Sequence, residues 1–416
     1  MNLRSKLKML NKTLSFAKAM WCCNCFGFIK RRNPQKVKPA INSNLSQELL
    51  LEDDFDDEDS FCNDEVNNTT SGDDSEVQSR PKRSEDVLIF RVENDMICRQ
   101  FPVKETHRVV RTEDENGNKM INEYIREYKI GSGSYGKVAL YQSSVDGKHY
   151  AIKAFHKSHL LKLRVAPSET AMSDVLREVF IMKMLEHPNI VNLIEVIDDP
   201  ESDNFYMVLE YVESKWVCEG SGPACALGEE TARRYLRDIV SGLTYLHAHN
   251  IVHGDIKPDN LLVTRDGTVK IGDFSVSQAF EDDNDMLRRS PGTPVFTAPE
   301  CILGITYSGK AADTWAVGVT LYCMILGEYP FLGDTLQDTY DRIVNNPIVL
   351  PKGLNPRLNT LIEGLLSKDP KQRMTLGDVA ADSWVIGDDG PIPEYLCWCK
   401  RKNLEREDND ESNMLP

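Results

Sequence analysis

The chain has 416 residues, a formal net charge of -16 and an isoelectric point near 5.1, and 41% of its residues are hydrophobic. That length fits one large domain with tails and a sizeable core, and the acidic balance argues against a general binder of nucleic acid or of an anionic membrane. The 11 cysteines lack the dense spacing of a small secreted scaffold and read as free thiols in a reducing compartment; no apolar run is long enough to span a bilayer. Asn2 stands where myristoylation needs glycine.

In chain order, residues 1–20 carry Lys and Leu at roughly helical spacing and predict a short amphipathic helix. Trp21-Cys22-Cys23-Asn24-Cys25-Phe26 follows, with Lys30, Arg31 and Arg32 behind it. This cluster has a CxxC spacing without a second half. No His lies near it, and Cys397 and Cys399 are far off in sequence, so reduced thiols are the reading, with reversible acylation as the first alternative and zinc behind it. From Asn42 to Ser79 there is no Lys or Arg, and Glu48 to Glu65 is crowded with acids. Such a segment repels itself and buries little, which predicts a largely disordered region over 1–107, with Phe55 and Phe61 solvated within it. Arg80-Pro81-Lys82-Arg83 is a weak nuclear-localisation run, and the expected location is cytoplasm and nucleus.

From Tyr124 the pattern changes. Ile130 to Tyr141 alternates like a strand, Val145-Asp146-Gly147-Lys148 is a hairpin turn, and Tyr150 to Lys153 is a returning strand. Asp174 to Leu185 has helical spacing, and two more strand-like runs cover Ile190 to Ile197 and Phe205 to Val212. From Gly228 onward helical segments dominate, and Trp315 to Leu326 reads as a buried helix. The result is an α+β fold: a small β-rich lobe, then a larger helical lobe. Past Trp384 the charge-rich sequence reads as a tail, too acidic for a basic amphipathic calmodulin target.

Three motifs carry chemistry. Gly131-Ser132-Gly133-Ser134-Tyr135-Gly136 sits in a β-hairpin rather than at a strand-to-helix turn, which fits a flap over nucleotide phosphates and not a dinucleotide loop. Lys153, on the strand that returns, places an ammonium for the α- and β-phosphates of ATP, with Glu178 as its opposing carboxylate. His253-Gly254-Asp255-Ile256-Lys257-Pro258-Asp259-Asn260 brings together what phosphoryl transfer to a hydroxyl needs. Asp255 is a carboxylate to receive the proton, Lys257 a cation for the migrating charge, and Asn260 an oxygen ligand for Mg²⁺. Asp273 in Asp273-Phe274-Ser275 supplies the second metal ligand, and His253 reads as a packed histidine.

Residues 124–385 therefore resemble the eukaryotic protein-kinase domain, with further landmarks at Ala298-Pro299-Glu300, Asp313-Thr314-Trp315 and Arg373. The resemblance implies a bilobal kinase fold, a C-terminal tail over 386–416 and ATP with Mg²⁺ as cofactors. It implies nucleotide contacts from Ile130, Gly131, Ser132, Gly133, Ser134, Tyr135, Gly136, Lys137, Val138, Ala151, Lys153, Glu178, Glu210, Val212 and Leu262, with Leu209 as gatekeeper. Glu300 would pair with Arg373, Asp313 would brace the catalytic loop, and Lys257 is of the Ser/Thr type. More narrowly, Glu186-His187-Pro188-Asn189, Val196-Ile197-Asp198-Asp199-Pro200 and the insert Lys157 to Ser173 resemble calcium/calmodulin-dependent protein kinase kinase. His253-Gly254-Asp255 with Asp273-Phe274-Ser275-Val276-Ser277 is similar to the plant geminivirus-Rep-interacting kinases. That resemblance implies an activation-loop threonine of an AMP-activated-type (sucrose-non-fermenting-related) kinase as substrate, and a geminivirus replication protein as a further partner. The competing readings are a pseudokinase scaffold and a viral-protein adaptor acting through the N-terminal region.

Two positions depart from the kinase pattern. Gly254 replaces the Arg that grips an activation-loop phosphate, so the enzyme is expected to work without that phosphate. Ser275 replaces a glycine, which predicts a stiffer loop and new hydroxyls at Ser275 and Ser277 as inhibitory phosphosites. Thr170, ahead of the Glu178 helix, is an autophosphorylation candidate whose bland role is a helix N-cap.

Overall fold

Period-two alternation builds the first lobe, and period 3.6 the second. The computed structural model describes residues 84–402 apart from 95, 134, 167–168, 214–215, 219–225, 282–283, 289–291 and 305. The predicted helix over 1–20, the Cys22 to Cys25 cluster, the acidic run with Phe55 and Phe61, the Arg80 to Arg83 run, Ser134, Ser290 and residues 403–416 lie outside the described residues.

Helix α1 (Ser84–Glu93) comes first, then strands β1 (Lys104–Thr106), β2 (Arg111–Glu113), β3 (Lys119–Ile121), β4 (Tyr124–Ser132), β5 (Lys137–Ser143) and β6 (His149–His156). Helix α2 (Lys157–Lys162) and the small hairpin β7 (Arg164–Ala166) and β8 (Glu169–Thr170) lead into α3 (Ala171–Met184), followed by β9 (Leu193–Asp198) and β10 (Asn204–Glu210). Eight strands form one sheet in the order β1-β9-β10-β6-β5-β4-β3-β2. Alternation on β6 decides what each face does. Tyr150, Ile152 and Ala154 join Tyr124, Ile197 and Val208 in one apolar cluster. Phe155 lies in the other, with Phe205 and with Val175 and Val179 of α3, and Lys153 shares its face.

The helical lobe is built on α4 (Glu229–Ala248), whose buried Ala232, Leu236, Ile239, Leu243 and Leu246 recur every three or four residues. Short pairs follow: β11 (Ile251–Val252) with β14 (Gln278–Ala279), and β12 (Leu261–Val263) with β13 (Val269–Ile271). After β15 (Met286–Leu287), α5 (Pro299–Ile302) and β16 (Tyr307–Ser308) comes α6 (Gly309–Leu326), buried almost all round, with Trp315 stacked on Phe331. Ser308 caps α6 at its start, and Gly327 ends it in the left-handed conformation. Helices α7 (Leu336–Asn345), α8 (Pro356–Leu365), α9 (Leu376–Ala381) and α10 (Ser383–Ile386) complete the lobe. No helix among the described residues is long and apolar enough to cross a membrane.

Two segments read as loose are folded onto this frame. Residues 84–107 fall inside the region predicted to be largely disordered, yet Val87, Leu88, Cys98 and Val103 join the main core. Arg177 of α3 pairs with Glu85, Arg91 donates to the carbonyls of His249 (2.8 Å) and Phe280 (2.7 Å), and Ser84 Oγ accepts from Ala279 N. Strand β1 runs parallel to β9, and Lys104 meets the fully buried Glu195 at 3.0 Å, beside the Tyr124 hydroxyl that donates to Glu195 at 2.6 Å. Residues 386–402, expected as tail, also pack down. Arg237 of α4 donates to the carbonyls of Val385, Gly390 and Pro391, and Cys397 is buried. In both segments a few apolar side chains are spread among charged ones, so average composition hides the residues that bury.

The Tyr395 ring sits edge-on against His187 at 4.4 Å, with Tyr245 on another side. His187 is 1% exposed, and its Nδ1 accepts from Asn189 N at 3.0 Å, so a second proton would break that bond. Burial, helped by the nearby charge of Lys270, pushes its pKa down from 6.5 to about 4. The unfolded chain therefore takes up a proton that the folded chain refuses. Stability is full above about pH 6.5 and falls through the window down to about pH 4, by up to about 3 kcal/mol. Urea unfolding across that range should show a shallower pH slope for His187→Gln than for wild type; parallel slopes would contradict the assignment.

Candidate active site

Lys153 of β6 donates to both carboxylate oxygens of Glu178 on α3, at 2.9 and 3.0 Å, and both side chains are buried. Asp273 lies on the other side of the ammonium at 3.6 Å. Burial opposes the charge on Lys153, but Glu178 and Asp273 outweigh it and hold the ammonium above its ordinary pKa. A charge this deep exists only because it is paired on two sides. Above it, a Cβ at Gly133 would come within 3.1 Å of Lys153 Cε, and one at Gly136 would strike the Ala154 carbonyl at 2.6 Å. The bare backbone is what lets the glycine hairpin lie this close to the lysine. Tyr135, in that hairpin, donates to Asp174 of α3 at 3.0 Å and ties the flap to the Glu178 helix. Val138, Ala151 and Leu262 are half-buried, Ile130 is partly exposed, and Glu210 and Val212 follow at the end of β10, beyond Leu209. The Glu210 N–H is engaged by the Asn192 carbonyl at 2.9 Å, and its carboxylate by Lys270 at 3.0 Å.

The catalytic-loop residues converge from below. Asp255 Oδ2 pairs with Lys257 Nζ at 2.8 Å, and Asn260 Nδ2 donates to the Asp255 carbonyl at 2.8 Å and to its carboxylate at 3.0 Å. With its amide nitrogen so engaged, Asn260 has Oδ1 left to accept a cation. Asp273 stands at φ 54 and its buried Oδ1 has no hydrogen-bond partner, since Lys153 at 3.6 Å is too far to donate. Burial would raise the Asp273 carboxyl, but Lys153, the Ser275 hydroxyl and the more distant His253 and Lys257 outweigh it and hold it below its ordinary pKa. An ionised carboxylate with an orphaned buried oxygen fits a hard divalent cation beside nucleotide phosphates. Asp313 braces this loop from α6: Oδ2 accepts from His253 N at 2.9 Å, Oδ1 from Gly254 N at 2.8 Å, and His247 Nε2 lies 2.9 Å from Oδ2. The His253 ring is fully buried, packed on Phe274, with Nε2 on the Gly272 carbonyl at 3.0 Å. Arg373 grips Glu300 at 2.6 and 2.8 Å.

The structure sharpens the departures. Gly254 has φ 81, a conformation glycine takes without penalty. Below it lies a hollow walled by Val252, Val276, Leu287, Tyr307 and Ala316, with Asp255 and Asp313 as its acids and no lysine or arginine among the described lining residues. Ser275 does not need the positive φ that glycine permits; Asp273 carries the left-handed turn instead. Ser277 is fully buried and its Oγ donates to the His253 carbonyl at 2.9 Å, and Ser275 is nearly buried. Neither hydroxyl is open to a modifying enzyme in this arrangement. Thr170 stands at the N-cap of α3, half-buried, without the side-chain cap bond.

One site residue has no local signal in the sequence. Thr293 donates to Asp255 Oδ1 from its backbone N–H (2.9 Å) and from Oγ1 (2.7 Å), while Lys257 donates to the same Oγ1 at 2.6 Å. It lies 38 positions from the aspartate it orients, and only the fold joins them.

Comparison with known proteins agrees with this geometry. A family model described as protein kinase domain matches residues 124–385. Serine/threonine-protein kinase GRIK2 of Arabidopsis thaliana is 65% identical over 415 residues, 98% of this chain and 98% of that protein. Calcium/calmodulin-dependent protein kinase kinase of Caenorhabditis elegans is 41% identical over 294 residues, 66% of this chain and 54% of that protein. SNF1-activating kinase 1 of Saccharomyces cerevisiae is 36% identical over 349 residues, 70% of this chain and 30% of that protein.

Thr293 holds both Asp255 and Lys257, so its hydroxyl should matter to the chemical step more than to nucleotide binding. Thr293→Val is expected to lower kcat on the order of 10- to 100-fold with KM for ATP unchanged. Thr293→Ser should recover most of that loss. An equal fall in nucleotide affinity would show that the residue supports the cleft and not the aspartate.

Proposed function

The chain belongs to the protein kinase family as a serine/threonine kinase of the GRIK type, within the calcium/calmodulin-dependent-kinase-kinase-like group, and we propose that it switches on AMP-activated-type (SNF1-related) kinases by phosphorylating their activation-loop threonine. The family uses ATP and a divalent metal; Mg²⁺ is our reading here, because the free donors at Asn260 and Asp273 are both hard oxygens. Metal-bound ATP supplies the phosphoryl group. Asp255, held by Thr293 and Asn260, orients the substrate hydroxyl and takes its proton. Lys257 offsets charge on the transferring group, and Lys153 positions the nucleotide while Glu178 fixes Lys153. Ile130, the glycine hairpin to Gly136, Lys137, Val138, Ala151 and Leu262 would hold the nucleotide, with backbone groups of Glu210 and Val212 for the adenine.

The observation that carries the enzymatic reading is the convergence of Lys153, Asp255, Asn260 and Asp273 with Glu178 on one cleft, which a scaffold has no chemical use for. The substrate reading rests on the likeness to a yeast kinase whose name says it activates SNF1. Incubation with Mg-ATP and an SNF1-type kinase domain should transfer phosphate to its activation-loop threonine and raise its activity. Asp255→Asn should abolish the transfer. Transfer to other proteins but not to that threonine would overturn the substrate and leave the enzyme; no transfer at all would overturn both.

We further propose that this kinase acts before being phosphorylated on its own activation segment. Gly254 supplies no guanidinium, and the hollow beside it has no lysine or arginine among its described lining residues to bind a phosphate. A phosphate on Thr293 would set a dianion against Asp255. Of the three candidate phosphosites, Thr170 is the accessible one, and a phosphate there would meet the N-terminus of the Glu178 helix. Phosphatase treatment should leave initial rates unchanged. A loss of activity restored by phosphate on Ser290 or Thr293 would refute the proposal.

A further inference from the structure

Near the C-terminal end of α3, among residues that none of the cleft motifs includes, three thiols and an imidazole converge. Cys98 follows α1, His249 caps α4, and Cys397 and Cys399 come from the C-terminal segment; their four ligand atoms all lie within 4.8 Å of one another. Cys399 Sγ is 2.9 Å from Cys397 Sγ, 3.3 Å from Cys98 Sγ and 3.3 Å from His249 Nε2. We propose that Cys98, His249, Cys397 and Cys399 form a structural zinc site that clips both ends of the described chain to α4.

The imidazole is set up as a ligand. His249 Nδ1 lies 2.7 Å from the Tyr245 carbonyl, which only accepts, so Nδ1 carries the ring proton. Nε2 is then a bare lone pair facing the sulfurs, and a backbone carbonyl behind the ring is the usual second partner of a metal-bound histidine. Arg91 bonds to the His249 carbonyl at 2.8 Å and steadies the residue further. Cys98 and Cys397 are 3% and 1% exposed, so four protein ligands close the site, as in structural rather than catalytic zinc centres. A donor set of three sulfurs and one nitrogen selects zinc and excludes hard cations such as magnesium. The sulfur separations exceed the roughly 2.05 Å of a disulfide. Tetrahedral thiolates about 2.3 Å from zinc stand about 3.8 Å apart, so the sulfurs part by about 1 Å or less to admit the ion. On binding, three S–H protons leave to solvent and three Zn–S bonds form.

The clip has a target. Cys98 N donates to the Met184 carbonyl at 3.0 Å, and the neighbouring Arg99 donates to the carbonyls of Met182 (3.3 Å) and Leu185 (3.1 Å), all at the end of α3. Tyr245, whose carbonyl holds His249, also receives Glu186 N on its hydroxyl at 3.0 Å. A cation holding these segments together therefore anchors the helix that carries Glu178.

The test is metal content of the full-length chain, purified reduced and without chelator. Elemental analysis should find one zinc per chain. That zinc should persist in Cys22→Ser/Cys23→Ser/Cys25→Ser and vanish in Cys397→Ser/Cys399→Ser. Exchange into Co²⁺ should give the intense visible bands of a tetrahedral site with thiolate charge transfer. Stripping wild type with 1,10-phenanthroline should lower Tm, and adding zinc back should restore it, which serves even if the double variant folds poorly. Three results would each overturn the site: reduced wild type with neither zinc nor cobalt uptake, zinc lost with the N-terminal cysteines instead, or a Cys98–Cys399 disulfide as the native state by mass spectrometry.

Discussion

The buried Lys153–Glu178 ion pair is the constraint around which the rest of the molecule is arranged. Two charges out of water persist only while their partner stays within hydrogen-bond reach, and removing one partner from such a pair costs about 3–5 kcal/mol. The strand that carries Lys153 is fixed by sheet register between β5 and β10. The helix that carries Glu178 has no such ladder and must be held by side chains. Tyr135 reaches it from the glycine hairpin, Glu85 from α1, and Arg99 from the segment that follows. The segments outside the kinase domain thus stand behind its most costly interaction.

The lower half of the cleft is held differently. Asp313 receives two successive backbone N–H groups of the catalytic loop and faces His247, so one buried carboxylate sets the loop's shape. The Asp255 carboxylate is then aimed by Asn260 from one side and Thr293 from the other. Where a basic pocket would make the activation segment depend on added phosphate, Gly254 leaves a hollow whose described charged lining is acidic, and Asp285 instead anchors that segment by accepting from Ser308 Oγ and from Lys310 N. Order comes from carboxylates already present in the chain.

Much of this was legible in the sequence because its signals are local. The glycine hairpin, Lys153, the 253–260 loop and Asp273 are short runs whose residue types follow from phosphate and metal chemistry. The alternation on β6 and the three-four spacing of α4 place the rest of the frame. What escaped depends on long-range closure. Thr293 is an ordinary threonine until the fold sets it on Asp255. Cys98, His249, Cys397 and Cys399 are spread over 301 positions with no paired spacing beyond one CxC, so no local pattern joins them. Val87, Leu88 and Cys397 are buried, and Tyr395 half-buried, from stretches whose mean composition is that of solvated chain. The position of the backbone turn also escaped, because it falls on Asp273, two residues before the Ser275 that replaces a glycine.

The C-terminal segment meets the N-terminal one across nearly the whole kinase domain, and this bears on the order in which the molecule can assemble. A ribosome delivers α1 and the β-rich lobe first, then the catalytic loop, and only afterwards Tyr395, Cys397 and Cys399. Every nascent chain thus passes through a stage with its catalytic residues made and the backing of α3 incomplete. Contacts between such distant positions close slowly, because the entropy of a long loop is lost before any contact offsets it. During that interval the surface around His187 and Tyr245 lacks its Tyr395 cover. The cover over His187 and Tyr245 is therefore the last part of the described fold to be laid down, after every catalytic residue has been made.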